Sequence, residues 1–363
     1  MVDYITHSDT IIFSPEFNKP LDLKLVSNYK KIIFSNFKLN KNLFLVYEKN
    51  NFDNLNYVCS EFNKPLLNYL DILSLFICFS TRCVYKSLSN SLEKILSSNI
   101  THLTFGHNFN QPLYNFLDNS ISLTHLTFGY YFNQPLTNSL RCLTSLTHLT
   151  FGNYFNQPLT NSLDNLISLT HLIFNFDYNQ PLSNSLDKLI SLTHLNFGYC
   201  FNQPLTNSLN KLSSLTHLTF GRTFNQPLSN SLDKLTSLTN LTLDYYFNQK
   251  DDLPLSIKSI KINCDNSYYI DFLPSSVEEI ELGYYFSLEL DNLPSSIKRI
   301  SFVEESYYNK KLNYLPNKLE ILKLNYKYTR QIKNIPRGLK KIICSKCYEF
   351  IEDFPDKVEV ETY

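Results

Sequence analysis

The hydrophobic positions of this 363-residue chain recur with a fixed spacing of 23 residues. In each copy a short alternating run, such as Leu123-Thr124-His125-Leu126-Thr127-Phe128, precedes a motif of the form Phe-Asn-Gln-Pro-Leu. The motif begins at Phe109, Phe132, Phe155, Tyr178, Phe201 and Phe224, and a shortened copy begins at Phe247. A fixed period of this size is typical of a solenoid, in which each repeat forms one coil.

The alternation within one copy predicts a short strand. Leu126 and Phe128 point inward and Thr127 points outward, because successive side chains of a strand lie on opposite faces. Further inward positions are predicted at Leu123, Phe132, Leu136, Leu140 and Leu143. The segment after the motif is too short for a full helix, so we expect a short turn or a single helical or 3₁₀ turn on the convex side. The pattern therefore predicts a β-rich repeat solenoid with a parallel strand ladder on its concave face.

Weaker copies extend the repeat in both directions. Upstream copies begin at Phe17 and Phe62, with worn copies at Leu39 and Val84. Downstream, Leu-Pro type anchors replace the motif, at Leu253, Leu273, Leu293, Leu315, Ile335 and Phe354. We therefore predict one continuous solenoid over residues 1–363, with about sixteen or seventeen coils. It comprises degenerate N-terminal repeats (1–99), near-identical 23-residue repeats (100–249) and Leu-Pro type repeats (250–363).

The asparagine of the motif stands between two inward anchors in every copy. A side-chain amide in that setting needs hydrogen-bond partners, and backbone groups of the same loop and of the next coil are the natural ones. We predict a structural ladder of amides; the alternative is a row of exposed ligand contacts. The ladder residues are Asn110, Asn133, Asn156, Asn179, Asn202 and Asn225.

The motif Phe132-Asn133-Gln134-Pro135-Leu136, with the run that precedes it, resembles the FNIP repeat, a leucine-rich-repeat-like unit. Such repeats are abundant in social amoebae and in giant viruses that infect them. The resemblance implies a right-handed, leucine-rich-repeat-like solenoid and a role in protein-protein interaction. Some members carry an N-terminal F-box, which would make them substrate receptors of ubiquitin ligases. Residues 1–60 of this chain read instead as strand-and-turn repeats, so we recognise no F-box.

Composition narrows the classes of partner. Lys plus Arg and Asp plus Glu both number 33, so the formal net charge is zero, and nothing steers the chain to nucleic acid or to an acidic membrane surface. The N-terminus lacks a secretory signal, and the apolar run Leu70 to Phe79 is too short to span a bilayer. The eight Cys follow no disulfide framework, so we expect a cytoplasmic protein, in the host cytoplasm if it is viral.

Two groups of residues invite a metal-site hypothesis. Six histidines, at positions 102, 125, 148, 171, 194 and 217, occupy one repeat position. A row gives each metal ion only two neighbouring ligands, so we expect these rings to bond to Thr or backbone instead, with pKa values lowered by burial and by one another. Cys344 and Cys347 form a lone Cys-X-X-Cys, with Cys344 aligned to the inward position of Phe302. We predict no metal, no cofactor and no enzymatic activity.

The residues that differ most between copies are the two that precede each motif. They lie in the loop leaving the strand, at the rim of the concave face, and are rich in the residue types that carry interface energy. We predict that this monomeric protein binds a protein partner along the concave face or its rim. Alternatives are neutral drift at solvated positions, a ubiquitin-ligase receptor without a recognisable F-box, or an enzyme of unknown type. The candidate binding residues are Tyr130, Tyr131, Asn153, Tyr154, Phe176, Asp177, Tyr199, Arg222, Tyr245 and Tyr246.

Overall fold

The computed structural model describes residues 4–7, 10–13, 31–34, 101–105, 109–110 and 112–363. The predicted copies at Phe17, Leu39, Phe62 and Val84 lie outside the described residues. The chain divides into two compact units, Met1–Leu192 and Thr193–Tyr363. That residues 1–363 form one continuous solenoid stays a prediction, and each unit is described by itself.

The first unit contains seven described strands in two sheets. In the N-terminal sheet β1 (Tyr4–His7) pairs antiparallel with β2 (Thr10–Phe13), and β2 pairs parallel with β3 (Lys31–Phe34). The antiparallel pair was not predicted, because the repeat pattern implies parallel neighbours throughout. The remaining strands form a parallel ladder in chain order: β4 (His102–Thr104), β5 (His125–Thr127), β6 (His148–Thr150) and β7 (His171–Ile173).

The second unit is a parallel ladder of nine described strands, again in chain order. They are β8 (His194–Asn196), β9 (His217–Thr219), β10 (Asn240–Leu243), β11 (Ser259–Ile262), β12 (Glu279–Leu282), β13 (Arg299–Phe302), β14 (Ile321–Lys323), β15 (Lys341–Cys344) and β16 (Glu359–Thr362). Helix α1 (Ser267–Asp271) and a 3₁₀ turn (Ile351–Asp353) interrupt the connecting segments. The prediction of a parallel β-solenoid is confirmed.

The core consists of columns of equivalent residues, because the register places each residue beside its counterpart in the next coil. The ring centroids of Phe128 and Phe151 lie 5.6 Å apart, and those of Phe132 and Phe155 lie 6.1 Å apart. Within one coil Phe128 also stacks on Phe132 at 4.1 Å. The inward positions predicted from the alternation are all buried, at Leu123, Leu126, Phe128, Phe132, Leu136, Leu140 and Leu143.

The segment that follows each motif returns the chain to the next strand through short turns. The Ser139 N–H donates to the Leu136 carbonyl at 2.9 Å, and the Leu143 N–H donates to the Leu140 carbonyl at 3.1 Å. Asn138 adopts a φ of 62°, in the left-handed region that asparagine tolerates better than most residues. The predicted short turns are confirmed.

Successive coils come closest where each strand ends. A Cβ added to Gly152 would lie 1.8 Å from the Gly129 carbonyl oxygen, and one added to Gly221 would lie 2.0 Å from that of Gly198. No side chain fits into such a gap, so glycine at these positions allows one backbone to rest directly on the next. This close contact brings the turns that follow neighbouring strands into register with one another.

Candidate interaction surface

The motif asparagines link neighbouring coils through their side-chain oxygens. Asn133 Oδ1 accepts hydrogen bonds from the Asn156 N–H at 2.9 Å and from Gln157 Nε2 at 2.9 Å. The same two bonds join Asn156 to the next coil, and Asn202 and Asn225 form them in the second unit. Asn110 is exposed, whereas Asn133, Asn156, Asn179, Asn202 and Asn225 are half-buried. The glutamine of the motif is therefore the second donor to the oxygens of Asn110, Asn133, Asn156, Asn202 and Asn225.

The same backbone contact continues beyond the near-identical copies with other acceptors. Asp265 Oδ1 accepts from the Ser287 N–H at 2.6 Å, and Asn309 Oδ1 accepts from the Thr329 N–H at 3.1 Å. A carboxylate and an amide both present an oxygen at this point, so the ladder needs an acceptor rather than asparagine itself. Sequence reasoning missed Asp265 and Asn309, although each directly follows a buried residue of its coil, Cys264 and Tyr308.

The turns that leave the strands, called strand-exit turns below, carry the predicted binding residues. In the first unit the rings of Tyr131 and Tyr154 stack at 5.1 Å, and each is more than two-fifths exposed. Tyr130 lies edge-on to both rings, at 5.0 and 5.2 Å. The Tyr154 N–H donates to the Tyr130 carbonyl at 3.0 Å, so backbone bonding holds these rings in a fixed arrangement.

The other predicted residues of the first unit occupy the next two strand-exit turns. The Asp177 N–H donates to the Asn153 carbonyl at 2.8 Å, which repeats the bond between Tyr154 and Tyr130. Phe176 is exposed, while Asn153 and Asp177 are half-buried. The exposed part of this surface is therefore mainly aromatic.

In the second unit the strand-exit turns gather around one arginine. Arg222 Cζ lies 4.8 Å from the ring centroid of Tyr245, 5.1 Å from that of Tyr285 and 5.7 Å from that of Tyr199. Tyr246 packs edge-on against Tyr245 at 4.8 Å. The predicted residues Tyr199, Arg222 and Tyr245 thus converge, and we call them, together with Tyr285, the tyrosine cage.

Sequence reasoning missed the continuation of this aromatic surface. Tyr284 lies edge-on to Tyr285 at 4.9 Å and to Tyr307 at 5.3 Å, and Lys327 Nζ sits 3.3 Å from the Tyr307 ring centroid. Hydrogen bonds with Tyr284 and then with Lys327 lower the pKa of Tyr307. The signal was available, because Tyr284 and Tyr285 directly precede the anchor Phe286, just as Tyr245 and Tyr246 precede Phe247.

The strand face of the first unit presents a column of histidines. The rings of His102, His125, His148 and His171 stack at 4.1 to 4.2 Å. The Thr124 hydroxyl donates to the Thr101 carbonyl at 2.9 Å and also lies 2.9 Å from His125 Nδ1. Since a hydroxyl has one hydrogen, His125 Nδ1 must be the donor in the second contact, which leaves Nε2 as the acceptor nitrogen of the neutral ring.

Two rings of this repeat position resist protonation, His125 and His217. Burial, followed by the charges of His102 and His171, lowers the pKa of His125. In the second unit burial, followed by the charge of His194, lowers the pKa of His217. The predicted direction is confirmed for these two rings, and the predicted bond to a neighbouring threonine is present at both.

From β11 onward, charged side chains line the strand face of the second unit. Its charged side chains alternate along the ladder and pair with one another, as in Lys298–Glu278 at 2.7 Å and Lys340–Glu320 at 2.8 Å. The hydrogen bond from Lys298 lowers the pKa of Glu278. Exposed pairs of this kind contribute little stability, but a partner that covered them would have to remove their water.

The remaining residues that could take part in catalysis or metal binding do not come together in one site. Cys344 is buried at the fourth position of β15, as Phe302 is in β13, while Cys347 is exposed. Within the described part of the chain, no group of three or more His, Cys, Asp or Glu side chains is arranged to hold a metal ion. Across those same residues, no helix has the length and apolar character needed to cross a membrane.

The family comparison agrees with this geometry. The model of the FNIP repeat matches residues 249–285, from the last shortened motif to the turn before Phe286. The chain therefore contains an FNIP repeat within a leucine-rich-repeat-like fold. The matched FNIP segment contains β11, β12 and the ladder acceptor Asp265. No curated protein matches the chain in sequence.

Solved structures show the same fold. A circular leucine-rich-repeat protein of a giant virus, CroV588, is 27% identical with a TM-score of 0.54, over 98% of this chain and 66% of that one. A chain of the Drosophila Toll–Spätzle complex is 13% identical (TM-score 0.56, 95% of this chain, 51% of that one). A chain of the TLR13–ssRNA13 complex is 14% identical (0.53, 97% and 54%). The chain thus spans less than two thirds of each, and the last two show the fold alone.

Proposed function

We propose that this protein is a non-enzymatic scaffold that binds another protein along its strand face or rim, with the strand-exit turns as the main contact. The observation that carries the proposal is the series of exposed, mutually packed tyrosines on these turns. Tyrosine buries a large area with few rotatable bonds, so it contributes much of the energy at protein interfaces. We further propose a cytoplasmic, monomeric protein.

Two features favour the turns over the open strand face. Backbone bonds such as Tyr246 N–H to the Arg222 carbonyl, at 3.1 Å, fix the turns, so that little ordering is needed on binding. On the strand face of the second unit the charges already satisfy one another, as in Lys261–Glu281 at 2.6 Å. A partner therefore gains more from the tyrosines than from the paired charges. The structures of Toll with Spätzle and of TLR13 with RNA support binding by this fold in general, without naming a partner here.

The experiment is an affinity purification of the tagged protein from amoeba cells with quantitative mass spectrometry. One variant changes Tyr130, Tyr131 and Tyr154 to Ser, and a second changes Tyr245 and Tyr246 to Ser. The matched controls change Tyr114 or Tyr314, which are exposed but lie outside the strand-exit turns.

The expected result is a partner lost with at least one of the strand-exit variants and retained with both controls, with unchanged circular dichroism. A partner retained by all variants would contradict the proposed surface. Ubiquitin-ligase components among the retained proteins would favour a ligase receptor instead.

A further inference from the structure

The tyrosine cage holds a cation without a counter-ion. Arg222 is half-buried beside the rings of Tyr245 and Tyr285, which pack edge-on with their centroids 4.5 Å apart, and the ring of Tyr199 lies on another side. Its Nε is buried and has no hydrogen-bond partner. Among the described residues it forms no ion pair with a carboxylate, in contrast to Arg299, Lys298 and Lys340 of the same unit.

The half-buried guanidinium is stabilised here by tyrosine side chains, through their ring faces and a hydrogen bond with Tyr285. Cation–π contacts offset part of its lost hydration. They leave the in-plane N–H groups of the fork without an anion, although these groups are the strongest hydrogen-bond donors of the side chain. An anion delivered from outside would complete the site.

The cage is fixed before any ligand arrives. The Thr223 N–H donates to the Tyr199 carbonyl at 3.0 Å, so the turn carrying Arg222 is tied to its neighbour. Tyr285 reaches Arg222 across the coil of β11, where Cys264 and Asp265 stand at the tyrosine positions and Asn263 donates to Asp244 at 3.1 Å. A Cβ added to Gly283 would lie 1.5 Å from Asn263 Oδ1, so glycine at position 283 makes room for that side chain.

We propose that the tyrosine cage is an anion-recognition site in which Arg222 binds the carboxylate of an acidic peptide segment on the protein partner. The planar fork of arginine matches a carboxylate through two parallel hydrogen bonds. The surrounding rings supply apolar contact for residues flanking the acidic one, and they exclude water, which strengthens the ion pair. The segment therefore carries an Asp or Glu next to apolar or aromatic side chains. This inference rests on the proposed function, since it names the chemistry of the partner at one point of the same surface.

The probe is a phage-displayed library of random 12-residue peptides, selected on the purified full-length protein. The expected result is enrichment of peptides with an Asp or Glu beside an apolar residue. The dissociation constant of the most enriched peptide is then measured by titration calorimetry against wild type, Arg222→Gln and Arg222→Lys. The matched control is Arg337→Gln, an exposed arginine in the turn before β15.

Arg222→Gln is expected to weaken binding by roughly 10- to 100-fold, the range for hydrogen bonds to charged groups. Arg222→Lys weakens binding as well, because an ammonium cannot form the fork. Changing the acidic residue of the peptide to its amide weakens binding to wild type but not further to Arg222→Gln, which isolates the pair. Arg337→Gln stays within about twofold of wild type.

Four outcomes would overturn the proposal. The selection could enrich peptides without acidic residues, or enrich none. The calorimetry could show equal loss on amidation for wild type and Arg222→Gln, or tighter Arg222-dependent binding of a phosphotyrosine peptide. Failure of this inference is separable from failure of the proposed function. A partner lost on changing Tyr245 and Tyr246 but retained by Arg222→Gln would leave the scaffold standing and remove the anion site.

Discussion

The amide ladder makes a sharp prediction at Asn156. Its Oδ1 accepts from the Asn179 N–H at 3.0 Å and from Gln180 Nε2 at 3.1 Å. Asn156→Ala removes both bonds and leaves a half-buried backbone donor without its partner. Two bonds at about 0.5–1.5 kcal/mol each predict a loss of about 1–3 kcal/mol in the free energy of unfolding.

The control for this prediction comes from the chain itself. Asp265 serves as the ladder acceptor in a later coil, so Asn156→Asp keeps an oxygen at the required place. We expect Asn156→Asp to lose less than about 1 kcal/mol, because the acceptor is retained and a donor is not needed. Comparing the two variants therefore separates the effect of losing the hydrogen-bond acceptor from the effect of any substitution at position 156.

Urea unfolding followed by far-ultraviolet circular dichroism measures the global effect. With a slope of about 3 kcal/mol/M, the midpoint of Asn156→Ala falls by roughly 0.3–1 M. Hydrogen exchange of the Asn179 amide measures the local effect, with protection lost in Asn156→Ala and kept in Asn156→Asp. Unchanged protection in Asn156→Ala, or equal destabilisation by both variants, would refute the ladder as a source of stability.

Three further predictions concern the backbone and the histidine column. Gly152→Ala forces a methyl group against the Gly129 carbonyl, and should destabilise by about 1–3 kcal/mol in thermal unfolding. Asn161 has a φ of 57°, so Asn161→Gly should be nearly neutral while Asn161→Val costs about 1–2 kcal/mol, measured by urea midpoints. His125 has a lowered folded-state pKa, so the unfolded state binds more protons below its ordinary value of 6.5, and stability should fall between pH 7.5 and 5.5. His125→Asn, which copies Asn240 at the same repeat position, should reduce that fall in stability, measured as the melting temperature.

The repetitive part of the fold follows from the sequence because the same pattern of inward and outward residues recurs in every coil. The alternation at Leu126 and Phe128 fixes the strand and its inward face, and a constant period places each strand beside the next. The burial of Leu140 and Leu143 follows from the same spacing. Periodicity is informative here because every coil follows the same pattern, so a wrong prediction for one coil would be wrong for all of them.

The departures from the repeat could not be predicted from its 23-residue period. Helix α1 replaces the motif turn where Asn266 accepts from the Tyr268 N–H at 3.1 Å and so caps a helix, a local choice that none of the other described copies makes. The tyrosine cage depends on Tyr285 reaching past the coil of β11, which requires the small residue Gly283 and the particular packing of Asn263. The position of Arg222 in the repeat predicted it as a binding residue, but the residues around it come from coils whose sequences differ.

The most direct test of the central claim is the affinity of the purified partner for two sets of variants, measured by titration calorimetry. One set changes strand-exit tyrosines, Tyr131 and Tyr154 or Tyr245 and Tyr246, to Ser. The other changes outward strand-face residues, Thr127 and Thr150, to Ser. Recognition through the strand-exit turns predicts at least tenfold weaker binding in one of the tyrosine variants and near wild-type binding in the strand-face variant. Weakened binding in the strand-face variant, with both tyrosine variants unaffected, would contradict it.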